Sequence, residues 1–235
     1  MRSIILTRPQ AESEAQAAVL RAQGHSVIIS PVLDIVPRDF IVPPLSTYQA
    51  LVFTSLQAVD VFAARCPTRD LPVYTVGDVT AQRVKAAGFT DIRSASGSLE
   101  SLNTLLAGAG LVTDWSVLHV SGDVVRGAVA VPGVKVERLI VYHAVAAQTL
   151  TPEAKAALAA HTAKAVLFFS PRSAEIFKIL LRQAGLEAAV SFTKALCIAD
   201  SVVKSLQDLP WQAIRVAQAP TGEAVAALLD DDFEE

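Results

Sequence analysis

Short apolar runs alternate with amphipathic stretches along almost the entire chain. The runs are short and rich in branched residues, as in buried strands, whereas the stretches between them place apolar residues three or four positions apart, the period of a helix. The predicted strands are 3–6, 26–30, 51–53, 73–76, 116–120, 135–142, 165–169, 195–198 and 213–217, and the predicted helices are 12–22, 56–64, 77–87, 152–160, 174–184 and one from 221 onwards. Because strands alternate with helices, the pattern predicts an α/β fold with parallel sheets.

Several strand-to-helix steps occur twice, with similar polar clusters at each. The clearest pair is Phe53-Thr54-Ser55 with Ala58 and Phe62, and Phe169-Ser170-Pro171 with Ser173 and Phe177. Segment 73–84 has a fainter counterpart in 195–206, and segment 4–31 resembles 117–142 more than it resembles the residues beside it. This repeat predicts two related lobes whose order along the chain is circularly shifted.

The circular shift also predicts how the two lobes share the chain. The first domain is expected to be discontinuous, from 1–36 plus 147–235, and the second to be the inserted segment 38–141. Two linkers, at about 33–37 and 142–146, would join them. Because few contacts cross such a connection, we expect a hinge and a ligand cleft between the lobes.

Composition excludes several classes of protein. Hydrophobic residues make up 52% of the chain, yet no apolar run approaches the ~18 residues of a membrane span. The N-terminus does not read as a secretory signal, so we expect a cytoplasmic protein that does not bind membranes. A net charge of -3 without clusters of Lys and Arg argues against nucleic acid as a partner. Cys66, Cys197 and the four histidines lack metal-ligand spacing, so we expect free thiols and no metal.

Polar turns follow six of the predicted strands, and they are the candidate chemistry of this chain. Ser and Thr hydroxyls lie there beside backbone N–H groups, a combination suited to carboxylate or phosphate. Open α/β sheets bind ligands at the carboxyl ends of their strands, where these turns are expected. The candidate binding residues are Thr7, Arg8, Thr54, Ser55, Gly77, Ser121, Gly122, Ser170, Pro171, Ser173, Pro220 and Thr221. Taken singly, each Ser or Thr is more typical of a helix N-cap than of a ligand contact, and that alternative stays open.

Motifs for nucleotide cofactors and for hydrolases are missing from the sequence. It contains no Gly-x-Gly-x-x-Gly, no Walker loop and no Gly-x-Ser-x-Gly. Nucleotide binding and a serine-hydrolase triad are therefore not supported, and nothing in the sequence demands a cofactor.

Five short motifs, taken together and in order, resemble one known family. They are Ile-Leu-Thr-Arg-Pro at 5–9, Phe-Thr-Ser at 53–55, Val-Gly-x-x-Thr-Ala at 76–81, Val-Tyr at 141–142 and Phe-Ser-Pro at 169–171. In this order the chain resembles the uroporphyrinogen-III synthase family over nearly its whole length. The resemblance implies two flavodoxin-like lobes with parallel sheets, joined by a two-stranded linker.

The resemblance also implies a reaction. A cofactor-free lyase of this family cyclises the linear tetrapyrrole hydroxymethylbilane to uroporphyrinogen III, with loss of water and inversion of ring D. The free bilane would close without inversion, so the protein's task is to hold the chain folded. Because the substrate carries many carboxylates, a site rich in N–H and hydroxyl donors can orient it without a large basic field.

Two residues match catalytic positions of the family. Tyr142 matches a tyrosine that faces the cleft, and its phenol is expected to donate a proton or hydrogen bond to the departing hydroxyl. Thr80 matches the threonine of the Val-Gly-x-x-Thr-Ala motif. The structural alternatives are that Tyr142 merely ends a strand and that Thr80 bonds a nearby backbone carbonyl. Arg126 matches a basic residue of the family, and we expect it to bind substrate.

The second copy departs from the family pattern at 198–202. Ala199 and Val202 stand where Gly and Thr are commoner, so Val202 lacks the hydroxyl and Ser201 is the nearest substitute. We expect Ala199 to restrict a turn that Gly allows. Asp123 is expected to repel an anion unless it caps the following turn, and His119 is expected to be a core residue.

The expected partners follow from the same resemblance. They are hydroxymethylbilane as a small-molecule substrate and, transiently, the upstream hydroxymethylbilane synthase. We expect a monomer. The alternative function is a non-catalytic two-lobed protein that binds tetrapyrroles or other polyanions, a degenerate paralogue of the enzyme.

Overall fold

The structure is a computed structural model, and it describes residues 3–95, 97–109, 115–125 and 127–229. The chain divides into two compact units: unit 1 comprises Met1–Asp34 and Val145–Glu235, and unit 2 comprises Ile35–Ala144. The strands are β1 (Ser3–Leu6), β2 (Ser26–Ile29), β3 (Leu33–Pro37), β4 (Ala50–Phe53), β5 (Val73–Thr75), β6 (Ile92–Ser94), β7 (Ser116–Gly122), β8 (Lys135–Ala146), β9 (Ala163–Phe168), β10 (Lys194–Cys197) and β11 (Ala213–Val216). The helices are α1 (Gln10–Ala22), α2 (Leu56–Arg65), α3 (Asp78–Ala86), α4 (Leu99–Ala107), α5 (Pro152–Ala159), α6 (Pro171–Gln183), α7 (Asp200–Val203) and α8 (Gly222–Ala227).

Unit 1 contains a five-stranded sheet in the order β11-β10-β9-β1-β2, and every pair in it is parallel. Numbered along the chain from the β2 edge, this order is 2-1-3-4-5, as in flavodoxin-like proteins. Core residues cover both faces, with Phe168 and Phe177 in one cluster and Leu6 and Leu20 in the other. Strand β9 is therefore almost continuously apolar, as expected of a parallel strand buried on both sides.

Unit 2 repeats this order with a shifted start. Its sheet runs β3-β8-β7-β4-β5-β6, and the five strands from β8 to β6 are mutually parallel. Strands β7 and β8 occupy the places that β1 and β2 occupy in unit 1, and β4, β5 and β6 correspond to β9, β10 and β11. This correspondence explains why segment 4–31 resembles 117–142. The predicted α/β fold with parallel, flavodoxin-like sheets is confirmed.

The chain passes from one unit to the other within two strands. The boundaries lie between residues 34 and 35, inside β3, and between residues 144 and 145, inside β8. Strands β3 and β8 are hydrogen-bonded neighbours, so both predicted linker segments are strand. It stays a prediction that 1–36 with 147–235 forms one independently folding domain and 38–141 the other.

The element boundaries differ from the prediction where polar residues begin a helix. Helix α6 begins at Pro171 rather than at 174, because Ser170 is its N-cap and a proline suits the first helical position. Strand β6 and helix α4 were not among the predicted elements. Strand β6 has only three residues and none is fully buried, so no apolar run marks it.

Candidate functional site

Tyr142 lies in β8 at the carboxyl end of the unit 2 sheet, and its phenol is hydrogen-bonded to a helix cap. Its hydroxyl donates to Ser55 Oγ at 3.1 Å. Ser55 is the N-cap of α2 and accepts from the backbone N–H of Ala58 at 3.3 Å. The ring is buried, with 7% of the residue exposed. The phenol is therefore held at a helix N-terminus, where the helix dipole favours negative charge.

Gly122 provides the space that the Tyr142 ring occupies. A Cβ atom at Gly122 would lie 2.5 Å from Cε2 and 2.8 Å from the hydroxyl of Tyr142. The β7–β8 ladder shifts register between Ser121 and Gly122, which places Gly122 opposite Tyr142. Next to this pair, the Asp123 N–H donates to the Tyr142 carbonyl at 3.0 Å. Gly122 was predicted to bind substrate; the structure gives it a steric role in placing Tyr142, and its contact with substrate stays a prediction.

Asp123 caps the turn after β7. Its carboxylate accepts from the N–H groups of Val124 at 2.9 Å and Ala144 at 3.1 Å, and it lies 3.0 Å from His143 Nδ1. Burial alone would raise the pKa of the Asp123 carboxyl, but the bonds from His143, Ala144 and Val124 outweigh it, so the pKa is lowered. The carboxylate is thus hydrogen-bonded within the protein, and its effect on a bound anion stays a prediction.

Arg138 was not predicted, yet it binds the same end of β7. Its Nε donates to Ser121 Oγ at 2.8 Å, and its Nη2 donates to the carbonyls of Asp123, at 2.7 Å, and Gly122. Ser121 is only 1% exposed. In the sequence, the sole signal was a basic residue within the strand-like segment 135–142, and its neighbours on β7 could not be known without the register.

Thr54 is paired with a buried histidine. His119 Nε2 lies 3.0 Å from Thr54 Oγ1, and only 3% of His119 is exposed. Burial, assisted by the nearby charge of Arg138, lowers the pKa of His119 to about 4. The imidazole is therefore neutral at pH 7. His119 is a hydrogen-bonded core residue, as predicted, and it also positions a predicted binding residue.

Thr80 and Gly77 follow β5, the strand next to β4. Gly77 is the N-cap of α3, and Thr80 is the third residue of that helix, 7% exposed. The Thr80 hydroxyl makes no hydrogen bond to any other residue that the structure describes. The alternative in which Thr80 bonds a nearby carbonyl is therefore not observed.

In unit 1, most of the predicted hydroxyls are engaged in local hydrogen bonds. Ser170 Oγ accepts from the N–H of Ser173 at 3.0 Å and lies 2.9 Å from Ser173 Oγ. Thr221 caps α8 by accepting from the N–H of Ala224 at 3.1 Å. Thr7 is fully buried, and its hydroxyl donates to the Leu167 carbonyl at 2.7 Å. Capping is thus observed, and contact of these residues with a substrate stays a prediction.

Arg8 is half-buried beside an aromatic ring and two acidic residues. Its guanidinium carbon lies 4.6 Å from the centre of the Phe169 ring. Burial lowers the pKa of Arg8, and the neighbouring carboxylates of Glu12 and Glu223 oppose that shift. Part of the Arg8 charge is therefore balanced within unit 1.

The departure at 198–202 changes the side chain but not the backbone. Ala199 at the start of α7 has φ -163° and ψ 162°, and Gly77 at the start of α3 has φ -169° and ψ 172°. Both are extended conformations open to any residue, so the prediction that Ala199 restricts the turn is wrong. Val202 is fully buried and Ser201 is exposed, so the hydroxyl one position earlier lies on the surface of the helix.

The predicted site residues thus form one set in each unit. In unit 2, Tyr142 contacts Ser55 and Gly122, and Arg138 binds both Ser121 and Gly122. Thr54 is paired with His119, and Gly77 and Thr80 follow β5. In unit 1, Thr7, Arg8, Ser170, Pro171, Ser173, Ser201, Pro220 and Thr221 follow β1, β9, β10 and β11. Arg126 lies outside the described residues.

Other chemistries find little support in the described part of the chain. No group of three or more His, Cys, Asp and Glu residues there could hold a metal ion. Burial raises the pKa of the Cys197 thiol to about 12, so this thiol is protonated at neutral pH. Among the described helices, none has the length and apolar character needed to cross a membrane.

The fold and these sites define a class: a duplicated α/β protein of two flavodoxin-like units, with hydroxyl and N–H donors at the carboxyl ends of its parallel strands. The family model of uroporphyrinogen-III synthase HemD matches residues 14–227. The chain belongs to the uroporphyrinogen-III synthase family.

Solved structures agree on the fold. The chain is similar to uroporphyrinogen-III synthetase from Helicobacter pylori, with TM-score 0.65 and 16% identity over 98% of this chain and 99% of that one. It is also similar to a mutant uroporphyrinogen III synthase from Thermus thermophilus, with TM-score 0.57 and 16% identity over 99% and 100% of the two chains. No curated protein matches the sequence.

Proposed function

We propose that this protein closes hydroxymethylbilane to uroporphyrinogen III, as a lyase that needs no cofactor. The observation that carries the proposal is the buried phenol of Tyr142, hydrogen-bonded to the cap of α2 at the end of the unit 2 sheet. A phenol in this position can protonate a departing hydroxyl, and the helix N-terminus stabilises the phenolate that remains.

The proposed reaction begins when Tyr142 gives its proton to the terminal hydroxyl of the bilane. The carbon–oxygen bond breaks, water leaves, and the terminal pyrrole ring with its methylene becomes an azafulvenium cation that keeps its N–H proton. The substituted carbon of ring D attacks this methylene and forms a spiro-pyrrolenine. Cleavage and reclosure then invert ring D, and the ring proton that is lost restores the Tyr142 phenol. The balance is one bilane converted to one macrocycle and one water.

The rest of the unit 2 site is suited to hold the substrate rather than to react with it. Thr54 and Thr80 contribute hydroxyls at neighbouring strand ends, and the N–H groups at the start of α3 are directed outward from that helix. We assign the carboxylates near the reacting end of the bilane to these groups. The hydroxyls and N–H groups of unit 1 would bind further carboxylates.

The proposed function is tested by supplying the protein with freshly generated hydroxymethylbilane and separating the oxidised isomers by chromatography. We expect isomer III to dominate. Formation of isomer I alone by folded protein, at the rate of the buffer control, would contradict the proposal and favour a protein that binds without turnover.

The working state of the enzyme is a further part of the proposal. We propose a cytoplasmic monomer that receives the unstable bilane from hydroxymethylbilane synthase during a transient contact. Sedimentation of the protein alone tests for the monomer, and a stable dimer would contradict it. Sedimentation of the protein mixed with that synthase tests for the transient contact, and a tight complex would contradict it.

A further inference from the structure

Arg138 carries a positive charge that no described carboxylate neutralises. Arg138 is exposed, and it takes part in none of the ion pairs among the described residues. This charge acts within unit 2, since it contributes, after burial, to the lowered pKa of His119. An exposed cation at the carboxyl end of a strand, outside every described ion pair, is suited to attract an anion.

The guanidinium is held by one of its edges. Nε and Nη2 donate to Ser121 Oγ and to the carbonyls of Gly122 and Asp123. Arginine has five N–H donors, and these contacts use those of Nε and Nη2. The two N–H groups of Nη1 have no acceptor among the described residues.

Arg138 and Tyr142 meet at the same residue. The Tyr142 ring packs against the Cα of Gly122, and Arg138 holds the Gly122 carbonyl. We infer that Arg138 is a substrate-binding residue: its Nε and Nη2 edge fixes the end of β7, and its Nη1 edge binds a carboxylate of the tetrapyrrole beside Tyr142. The identity of the ligand rests on the proposed function.

The competing explanation is that Arg138 only fixes the end of β7. The chain contains a matched control for that role, since Arg69 also donates to backbone carbonyls, those of Ala63, Cys66 and Ala87. These carbonyls belong to the carboxyl ends of α2 and α3 and to the turns that follow them, away from the strand ends that carry the site. Loss of Arg69 should therefore affect folding without affecting substrate.

The experiment compares R138Q and R69Q in the full chain. Thermal unfolding, KM and kcat for hydroxymethylbilane, and the Kd for uroporphyrin III by fluorescence are measured at low and high salt. We expect R138Q to raise KM and Kd about tenfold, the effect of one charge-assisted hydrogen bond, with a smaller change in kcat. Its Kd should also depend less on salt. R69Q should lower the melting temperature and leave KM and Kd unchanged.

Wild-type KM and Kd in folded R138Q would overturn the inference and leave Arg138 a structural residue. If R138Q does not fold, R138K replaces it: Lys keeps the charge but cannot bind the strand end and a carboxylate with two fixed edges. A severalfold rise in Kd is then expected, and wild-type Kd would overturn the inference. Absence of turnover by the wild type would contradict the proposed function alone, because the uroporphyrin III measurement still tests Arg138.

Discussion

The two copies of the serine-capped helix start differ in what binds the serine. In unit 2, Ser55 caps α2 and also accepts a hydrogen bond from Tyr142, a residue 87 positions away. In unit 1, Ser170 caps α6 by accepting from the N–H of Ser173, three positions away, and its Oγ also lies within hydrogen-bond distance of Ser173 Oγ. The same local motif is therefore hydrogen-bonded to a distant tyrosine in one copy and to a neighbouring serine in the other. On this difference we propose that the chemistry belongs to unit 2 and that unit 1 contributes binding.

The next strand along each sheet shows the same division. Helices α3 and α7 begin with nearly identical backbone angles, but their third residues are Thr80 and Val202. Thr80 keeps a hydroxyl without a described partner, whereas Val202 is packed in the core. Duplication has preserved the fold of both copies, and the polar side chains have diverged.

The largest expected effect is on stability, and it comes from His119, the histidine buried in unit 2. The pKa of His119 is lowered from 6.5 to about 4, so the unfolded chain takes up a proton in this range and the folded protein does not. The free energy of unfolding should therefore fall as the pH drops from about 6.5 to about 4, by about 3 kcal/mol from this residue alone. Denaturant unfolding of wild type and H119Q across this pH range measures how steeply the free energy of unfolding of each depends on pH. Equal slopes would contradict the buried, neutral imidazole.

The second effect concerns the fit of Gly122 to the Tyr142 ring. G122A should cost about 2 kcal/mol of stability by overpacking and should lower kcat at least severalfold, because the ring must move. In the Y142A background the stability cost should disappear, as a double-mutant cycle would show. G222A is the matched control in unit 1, since no atom lies within 4 Å of a Cβ there. An equal stability cost of G122A in the wild-type and Y142A backgrounds would show that the strain does not come from the Tyr142 ring.

A third test removes the two cap serines in turn. S55A and S170A should each cost about 1 kcal/mol of stability, because each removes an N-cap. Only S55A also removes the acceptor of the Tyr142 hydroxyl, so S55A should lower kcat severalfold, whereas S170A should act mainly on KM. Steady-state kinetics of both variants measure this. Equal losses of kcat in S55A and S170A would contradict the proposal that unit 2 carries the chemistry and unit 1 the binding.

The smallest effect is expected from T80V, which gives α3 the residue type found in α7. Valine preserves the shape of threonine, and the Thr80 hydroxyl has no described partner to lose, so stability should change by less than about 0.5 kcal/mol. KM should rise about threefold if the hydroxyl binds a carboxylate. An unchanged KM together with lower stability would assign Thr80 to structure.

Much of the fold could be predicted because parallel strands and their helices leave strong patterns. Strand β9 is apolar almost throughout, and helix α5 begins at Pro152, where the apolar pattern places it. The circular repeat was visible because Phe53-Thr54-Ser55 and Phe169-Ser170-Pro171 retain their order. Strand β6 was missed because three half-exposed residues carry no such pattern.

The site was predicted less completely, because its contacts depend on register between strands. Thr54 and His119 are 65 positions apart, and the partners of Arg138 follow from the pairing of β7 with β8. The steric role of Gly122 depends on a register shift that no sequence motif marks. The error at Ala199 has a different origin: glycine at the equivalent position suggests a need for conformational freedom, but the backbone there is extended.

We propose that the Tyr142 phenol in unit 2 drives loss of water from the bilane. The most direct measurement is the rate of uroporphyrinogen III formation by Y142F, with Y74F as the control, since Tyr74 is also buried in unit 2 and its hydroxyl accepts from Arg93 at 2.6 Å. We expect Y142F to lose about a hundredfold in kcat with its fold intact, and Y74F to keep wild-type kcat. Wild-type kcat in Y142F would contradict the account and leave Tyr142 a structural residue.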